Sequence, residues 1–165
     1  MKQLNQSKLE AHGWFYTYAD NRFITGSAAA GTALATGHKT SINTIGKSAD
    51  RTQNYKSIAY KAKEAGMKVG IISTVSINHA TPAVFYANAN ERSSYYEIAG
   101  QMFASGFDLF AGGGIKDPKG EQADLPDLYE KKAKLNILQK NADFLNAKRS
   151  NLPLYFSHER LQSGA

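Results

Sequence analysis

The 165 residues carry 20 Lys and Arg against 14 Asp and Glu, a net charge of +6, with 42% hydrophobic and 21% charged residues and no cysteine. Such a chain suffices for one globular domain, and it excludes disulfides, thiol catalysis and cysteine-ligated zinc. The basic residues are spread over several segments without interleaved aromatics, which argues against nucleic acid, and no apolar run reaches the length that crosses a bilayer.

In chain order, MKQLNQSKLE at the start is polar and lacks the apolar segment of a signal peptide. Residues 13–18, GWFYTY, predict a strand from their aromatic and β-branched content. A helix is expected from Ser27 to Thr36, with Gly37 as its left-handed stop, and residues 38–53 read as polar and irregular. SIAYKAKEAGM predicts a second helix with Ile58, Ala62 and Ala65 on its apolar stripe, halted at Gly66. KVGIISTVSI follows as a near-continuous apolar run, the pattern of a strand buried on both faces.

The alternation then repeats. NHATPAVFYANANER reads as a loop broken by proline, SSYYEIAGQMFASG as a helix ending at Gly106, and FDLFAGGG as a strand entering a glycine turn. A helix over 126–134, a short strand near 135–139, a helix at NADFLNAKR and a last strand at LPLYFS complete the chain. Helices alternating with apolar strands predict an α/β domain with a mostly parallel sheet. With HERLQSGA following the last strand and no helix to cover it, the domain reads as incomplete, a single partial domain over 1–165.

Three places carry residues suited to chemistry. Ser27 opens a helix of small side chains, where a hydroxyl meets unpaired N–H groups and the positive end of the dipole; it serves there equally as an N-cap. His79 and Thr81, in NHATPA, follow an apolar strand, where α/β sheets bind ligands, and suit a metal site or its hydrogen-bonding surroundings as well as plain surface. Arg92 offers a bidentate fork for phosphate or is a solvated charge. GGG in AGGGIKDPKG lacks the spacing of the nucleotide-binding loops and reads as a turn. His38 and Lys39 follow the first helix, where a cation complements its dipole, and His12 and His158 have no partner nearby in sequence.

Order and spacing join these signals. TGSAAAGTALATGHKTSINTIG resembles the nucleophile segment of alkaline phosphatases, a Thr-Asp-Ser-Ala-Ala run followed by Thr-Gly-x-Lys-Thr and an Asn and Gly. The matching residues are Thr25, Ser27, Ala28, Ala29, Thr36, Gly37, Lys39, Thr40, Asn43 and Gly46. KVGIISTVSINHATPAVFYANANER is similar to the next block of that family, and FDLFAGGG to the strand and loop after it. The resemblance spans about residues 13–115. It implies a three-layer α/β sandwich and phosphate monoester hydrolysis through a phosphoserine at Ser27, with Arg92 clamping the phosphoryl oxygens. It also implies zinc at Ser27, magnesium held by Thr81, and His79 shaping the magnesium site.

Phosphate monoesters or inorganic phosphate are the implied ligands, with homodimerisation and a periplasmic or secreted location expected of the family. Two departures qualify this. Gly26 stands where the family has the aspartate that orients the arginine, so Arg92 is expected to be freer. The Asp-Gly-Met-like motif and the Asp/His pairs of the zinc sites are absent, so most metal ligands are expected outside this chain and turnover by the isolated chain is expected to be slight or nil. The alternatives are a phosphodiesterase or sulfatase-like hydrolase of the same superfamily, against which Thr81 and Arg92 argue, a non-catalytic phosphate-binding module, and a structural domain in which Ser27 only caps a helix.

Overall fold

The computed structural model describes residues 8–11, 13, 16–120 and 125–128, together with the backbone of two strands at 136–138 and 154–157. Among the described residues four helices, α1 (Ser27–Thr36), α2 (Ile58–Glu64), α3 (Ala80–Ala83) and α4 (Tyr95–Ala104), accompany four strands. The strands are β1 (Gly70–Ile72), β2 (Leu109–Gly112), β3 (Asn136–Leu138) and β4 (Leu154–Ser157). All pair in parallel in the order β1-β2-β4-β3, so the α/β class and the parallel sheet match the expectation from sequence. The strands expected near 135–139 and at LPLYFS are β3 and β4. Most of the helix expected over 126–134, and all of NADFLNAKR, lie outside the described residues.

The core forms where β1 and β2 meet α4 and the segment after α3. Phe110 and Phe107 are fully buried, and Phe110 meets the Tyr86 ring edge-on at 5.4 Å. α4 turns Ile98, Ala99 and Met102 inward, one helical stripe, while Glu97 in its first turn complements the helix dipole. The buried Tyr86 hydroxyl donates to Ile77 O at 2.9 Å, so the polar end of the ring is satisfied where the ring is packed.

Four local expectations change. Tyr16–Tyr18 are exposed and form no strand, while Trp14 and Phe15 lie outside the described residues. α2 buries Ala59 rather than the Ile58, Ala62 and Ala65 stripe: Ile58 is 58% exposed and Ala65 is exposed as well. The cause is its N-cap. Ser57 Oγ accepts from Tyr60 N and donates to Phe85 O, and Tyr60 Oη donates to Tyr86 O, which fixes the rotation of the helix. β1 is buried on one face only, with Ile71 inside and Ile72 72% exposed, because the packing covers one face of the sheet there. Finally, ATPA is helical. Pro82 sits in the first turn of α3, where its missing N–H removes no intrahelical bond.

Asp108 pins the start of β2 to the start of β1. Its carboxylate accepts from Lys63 Nζ at 2.7 Å, Val69 N at 2.9 Å and Lys68 Nζ at 3.0 Å. Burial raises this carboxyl, but the hydrogen bonds from Lys63, Val69 and Lys68 outweigh it and hold the group well below the usual carboxylate range. A depressed folded value gives stability that is complete above the unfolded value, about 4, and lost as pH falls toward the folded one. Asp108→Asn is therefore expected to cost about 1–2 kcal/mol at pH 7. The cost shrinks steadily below about pH 4. Urea midpoints of both proteins at pH 7 and pH 3 check this, and a gap of constant size would contradict it.

Candidate active site

α1 begins without help from Ser27. The N-cap is Gly26, extended at φ −117° and ψ 171°, and its carbonyl accepts from Ala30 N at 3.0 Å. Ser27 is the first helical residue, exposed, and its hydroxyl has no hydrogen-bond partner among the described residues. The capping explanation for this serine is thereby removed: a cap accepts from an N–H of the first turn, and this hydroxyl accepts from none. It stands free beside the N–H groups that the first turn of a helix leaves unpaired.

The rest of α1 is built for close approach. Ala28, Ala29, Gly31, Thr32 and Ala35 are buried, and a Cβ at Gly31 would lie 3.1 Å from a Val84 methyl just past α3. Thr32 turns the helix into an anchor for the following loop: its hydroxyl donates to Thr44 O at 3.3 Å and accepts from Gly46 N at 2.9 Å. That loop then carries the arginine segment. Ile45 and Ala89 exchange backbone hydrogen bonds at 3.0 and 2.9 Å, and Arg92 N donates to Asn43 O at 2.8 Å. Arg51 adds a side-chain tie, donating to Thr44 Oγ1 and, at 2.6 Å, to Glu91. Ser27 and Arg92, 65 positions apart in sequence, belong to one hydrogen-bonded unit.

The carboxyl ends of β1 and β2 supply the other wall. Ser73 N donates to Ala111 O and Ile77 N to Gly114 O, so the two loops leave the sheet side by side. His79, the N-cap position of α3, meets Arg92 there: Nη2 of the guanidinium lies 2.9 Å from Nε2 of the ring. A guanidinium only donates, so Nε2 accepts and the ring proton sits on Nδ1, which is buried with no partner among the described residues. Burial, followed by the charges of Arg92 and Lys116, pushes the imidazole below its ordinary value and keeps it neutral. The expectation that Gly26 leaves Arg92 free is thus modified, because His79 holds one arm of the fork.

Thr81 is exposed and faces elsewhere. It lines an apolar cavity of about 460 Å³ between α2, β1 and α3, together with Ile58, Val69, Ile71 and Phe85. None of Ser27, His79 or Arg92 borders that cavity. No group of three or more His, Asp or Glu among the described residues is placed to hold a metal ion. Two hydroxyls and one imidazole, that ring already engaged with Arg92, do not make up a zinc or magnesium site.

Several residues of this region escape a reading by motif. Asn78 is fully buried: its Nδ2 donates to Tyr95 O and Lys116 O, and its Oδ1 accepts from Lys116 N. Thr32, Arg51 and Glu91 are also missed. Only the polarity of Asn78 and Thr32 amid apolar neighbours signals them in sequence. His38 stacks on Tyr55 with centroids 4.4 Å apart, and Lys39 lies over the Tyr18 ring, so both pack against aromatic rings.

With this geometry in view, comparison with known proteins gives one answer. A family model described as alkaline phosphatase matches residues 1–125. Alkaline phosphatase 3 of Bacillus subtilis is 33% identical over 144 residues, covering 82% of this chain and 31% of that protein. The Schizosaccharomyces pombe alkaline phosphatase is 30% identical, covering 84% and 28%. The solved alkaline phosphatase of the Antarctic bacterium TAB5 superposes with a TM-score of 0.80 at 32% identity, over 96% of this chain and 46% of its own. A mutant of that enzyme with magnesium bound in its M3 site gives 0.81. The chain spans less than a third of the curated relatives named and under half of the TAB5 structure. Match, identity and superposition agree, and the chain belongs to the alkaline phosphatase family.

Proposed function

We propose that the whole protein hydrolyses phosphate monoesters, with Ser27 as nucleophile and Arg92 as the phosphoryl clamp. The observation that carries this is the free Ser27 hydroxyl at the first position of α1, exposed and without a capping role. Ser27 Oγ attacks phosphorus and gives up its proton to solvent, the bond to the alcohol oxygen breaks, and the leaving oxygen takes a proton from solvent. Water then attacks the phosphoserine, releasing phosphate and returning the hydroxyl. The unpaired N–H groups of the α1 N-terminus face the developing negative charge, and the donors of Arg92 not engaged with His79 reach two phosphoryl oxygens.

A serine hydroxyl is a weak nucleophile at neutral pH, and in the family resemblance a zinc pair supplies its activation. Zinc and magnesium are part of this proposal for the whole enzyme, Ser27, Thr81 and His79 being what this chain has to offer them. That set alone does not form a site, so slight turnover is expected of the 165 residues by themselves. A periplasmic or secreted location and a homodimer are proposed on the resemblance alone. Among the described residues no helix is long and apolar enough to cross a membrane.

The test is acid-quenched peptide mapping of the whole enzyme, of which these residues are a part, after incubation with zinc, magnesium and a chromogenic phosphate monoester. A phosphoryl group is expected on the peptide containing Ser27 and is expected to vanish in Ser27→Ala. No phosphoryl group at Ser27, or one that persists in the alanine variant, overturns the proposal.

A further inference from the structure

We propose that Lys116 is a second anion-binding residue of this site, held beside His79 and Arg92 by the buried side chain of Asn78, and that the pair of cations selects dianionic phosphate monoesters over monoanionic diesters. The inference deepens the phosphatase reading and rests on it.

Asn78 is fully buried and spends its amide on placing one residue. It accepts from Lys116 N at 2.9 Å and donates to Lys116 O at 2.7 Å, gripping both backbone groups of that lysine. Its remaining amide hydrogen goes to Tyr95 O at 2.9 Å, at the first residue of α4. The lysine backbone is therefore fixed against the residue that precedes His79. Its Nζ lies 4.3 Å from the centroid of the Tyr95 ring, three positions beyond Arg92. The side chain thus lies against the same short stretch that carries the arginine.

Arg92 and Lys116 each rest on an uncharged ring. The carboxylates of Glu91, Glu64, Asp108 and Asp127 pair with other cations, namely Arg51, Lys56, Lys63, Lys68 and Lys119. The side chain of Arg92 spends one arm on a neutral ring, and Lys116 rests on the face of a phenol. Two like charges on neighbouring segments repel each other, and a doubly charged anion between them relieves that repulsion more than a singly charged one.

The test is binding of inorganic phosphate and of dimethyl phosphate to the full 165-residue chain, followed by phosphorus NMR, for the parent, Lys116→Met, Lys116→Arg and Arg92→Ala. Lys116→Met should weaken inorganic phosphate about three- to tenfold and dimethyl phosphate less, with Lys116→Arg restoring most of the loss. Thermal melts should coincide for parent and Lys116→Met, since the lysine side chain is exposed. If Lys116→Met binds phosphate as the parent does while Arg92→Ala is impaired, Lys116 has no such role and the phosphatase reading stands. If Arg92→Ala also binds like the parent, the phosphate site itself is refuted.

Discussion

Gly46→Ala is expected to cost about 3–4 kcal/mol of folding stability, against about 1 kcal/mol for Gly37→Ala. Both glycines are left-handed, at φ 59° and 80°, so backbone strain alone would make the two substitutions alike. Their surroundings separate them. A Cβ at Gly37 meets nothing within 4 Å, whereas one at Gly46 would lie 2.6 Å from both the Ala87 carbonyl oxygen and the Asn88 amide nitrogen. That clash falls on a node of the fold. Gly46 N donates to Thr32 Oγ1, and its carbonyl accepts from Tyr55 N at 2.7 Å and from the Asn88 side chain.

Pushing the loop away from Ala87 breaks these bonds together, and with them the tie between α1 and the arginine segment. Guanidinium denaturation of both variants checks the ratio. Equal costs would show that conformation, not space, is what the position requires. A domain stable by 5–15 kcal/mol loses a large part of its margin to Gly46→Ala, so reduced soluble yield should accompany it.

What the sequence discloses of this chain follows the range of the forces involved. α1 and its stop at Gly37 are legible because they are local: a run of small helix formers, then a residue that accepts positive φ without a Cβ penalty. The parallel order of the strands is legible from alternation. The one-sided burial of β1 is not, because Ile72 has the composition of a buried strand and only the packing on each face of the sheet decides which side chains are covered. The rotation of α2 depends on Ser57 and Tyr60 reaching Phe85 O and Tyr86 O, more than 20 positions away, so its apolar residues alone mislead.

The site divides the same way. Ser27, His79 and Arg92 are recognisable as a motif series, yet their mutual geometry is not. The contact between Arg92 and His79 spans 13 positions, and the segment that brings Arg92 to it is itself fixed by backbone bonds from Arg92 and Ala89 to Asn43 and Ile45. Asn78 and Lys116 carry no motif at all, and their link crosses 38 positions. Polar residues that fasten backbone to backbone become visible only once their partners are in place.

Arg92→Ala is expected to weaken phosphate binding about 10- to 100-fold, the loss of a pair of charge-assisted hydrogen bonds. The more informative comparison concerns what orients that side chain. The resemblance implies an aspartate before the nucleophile, and this chain has Gly26, so no carboxylate on α1 faces the guanidinium and its orienting acceptor among the described residues is the ring nitrogen of His79. Gly26 itself does not forbid the acid: its φ of −117° suits any residue, and a Cβ there meets only Ile42 Cγ1 at an ordinary 3.8 Å.

Gly26→Asp is therefore expected to fold normally and to bind phosphate more tightly by ordering the guanidinium. His79→Ala, which releases that group, should weaken binding about three- to tenfold. The two substitutions should not add. With His79 present the guanidinium is already held, so the aspartate has less to contribute; without it, Gly26→Asp should recover most of the loss. Phosphate titrations of the four proteins measure this coupling. Equal affinities for parent and Gly26→Asp in both backgrounds would mean that Arg92 needs no orienting partner. An additive result would mean that aspartate and histidine act on phosphate by separate routes rather than through the one guanidinium they share.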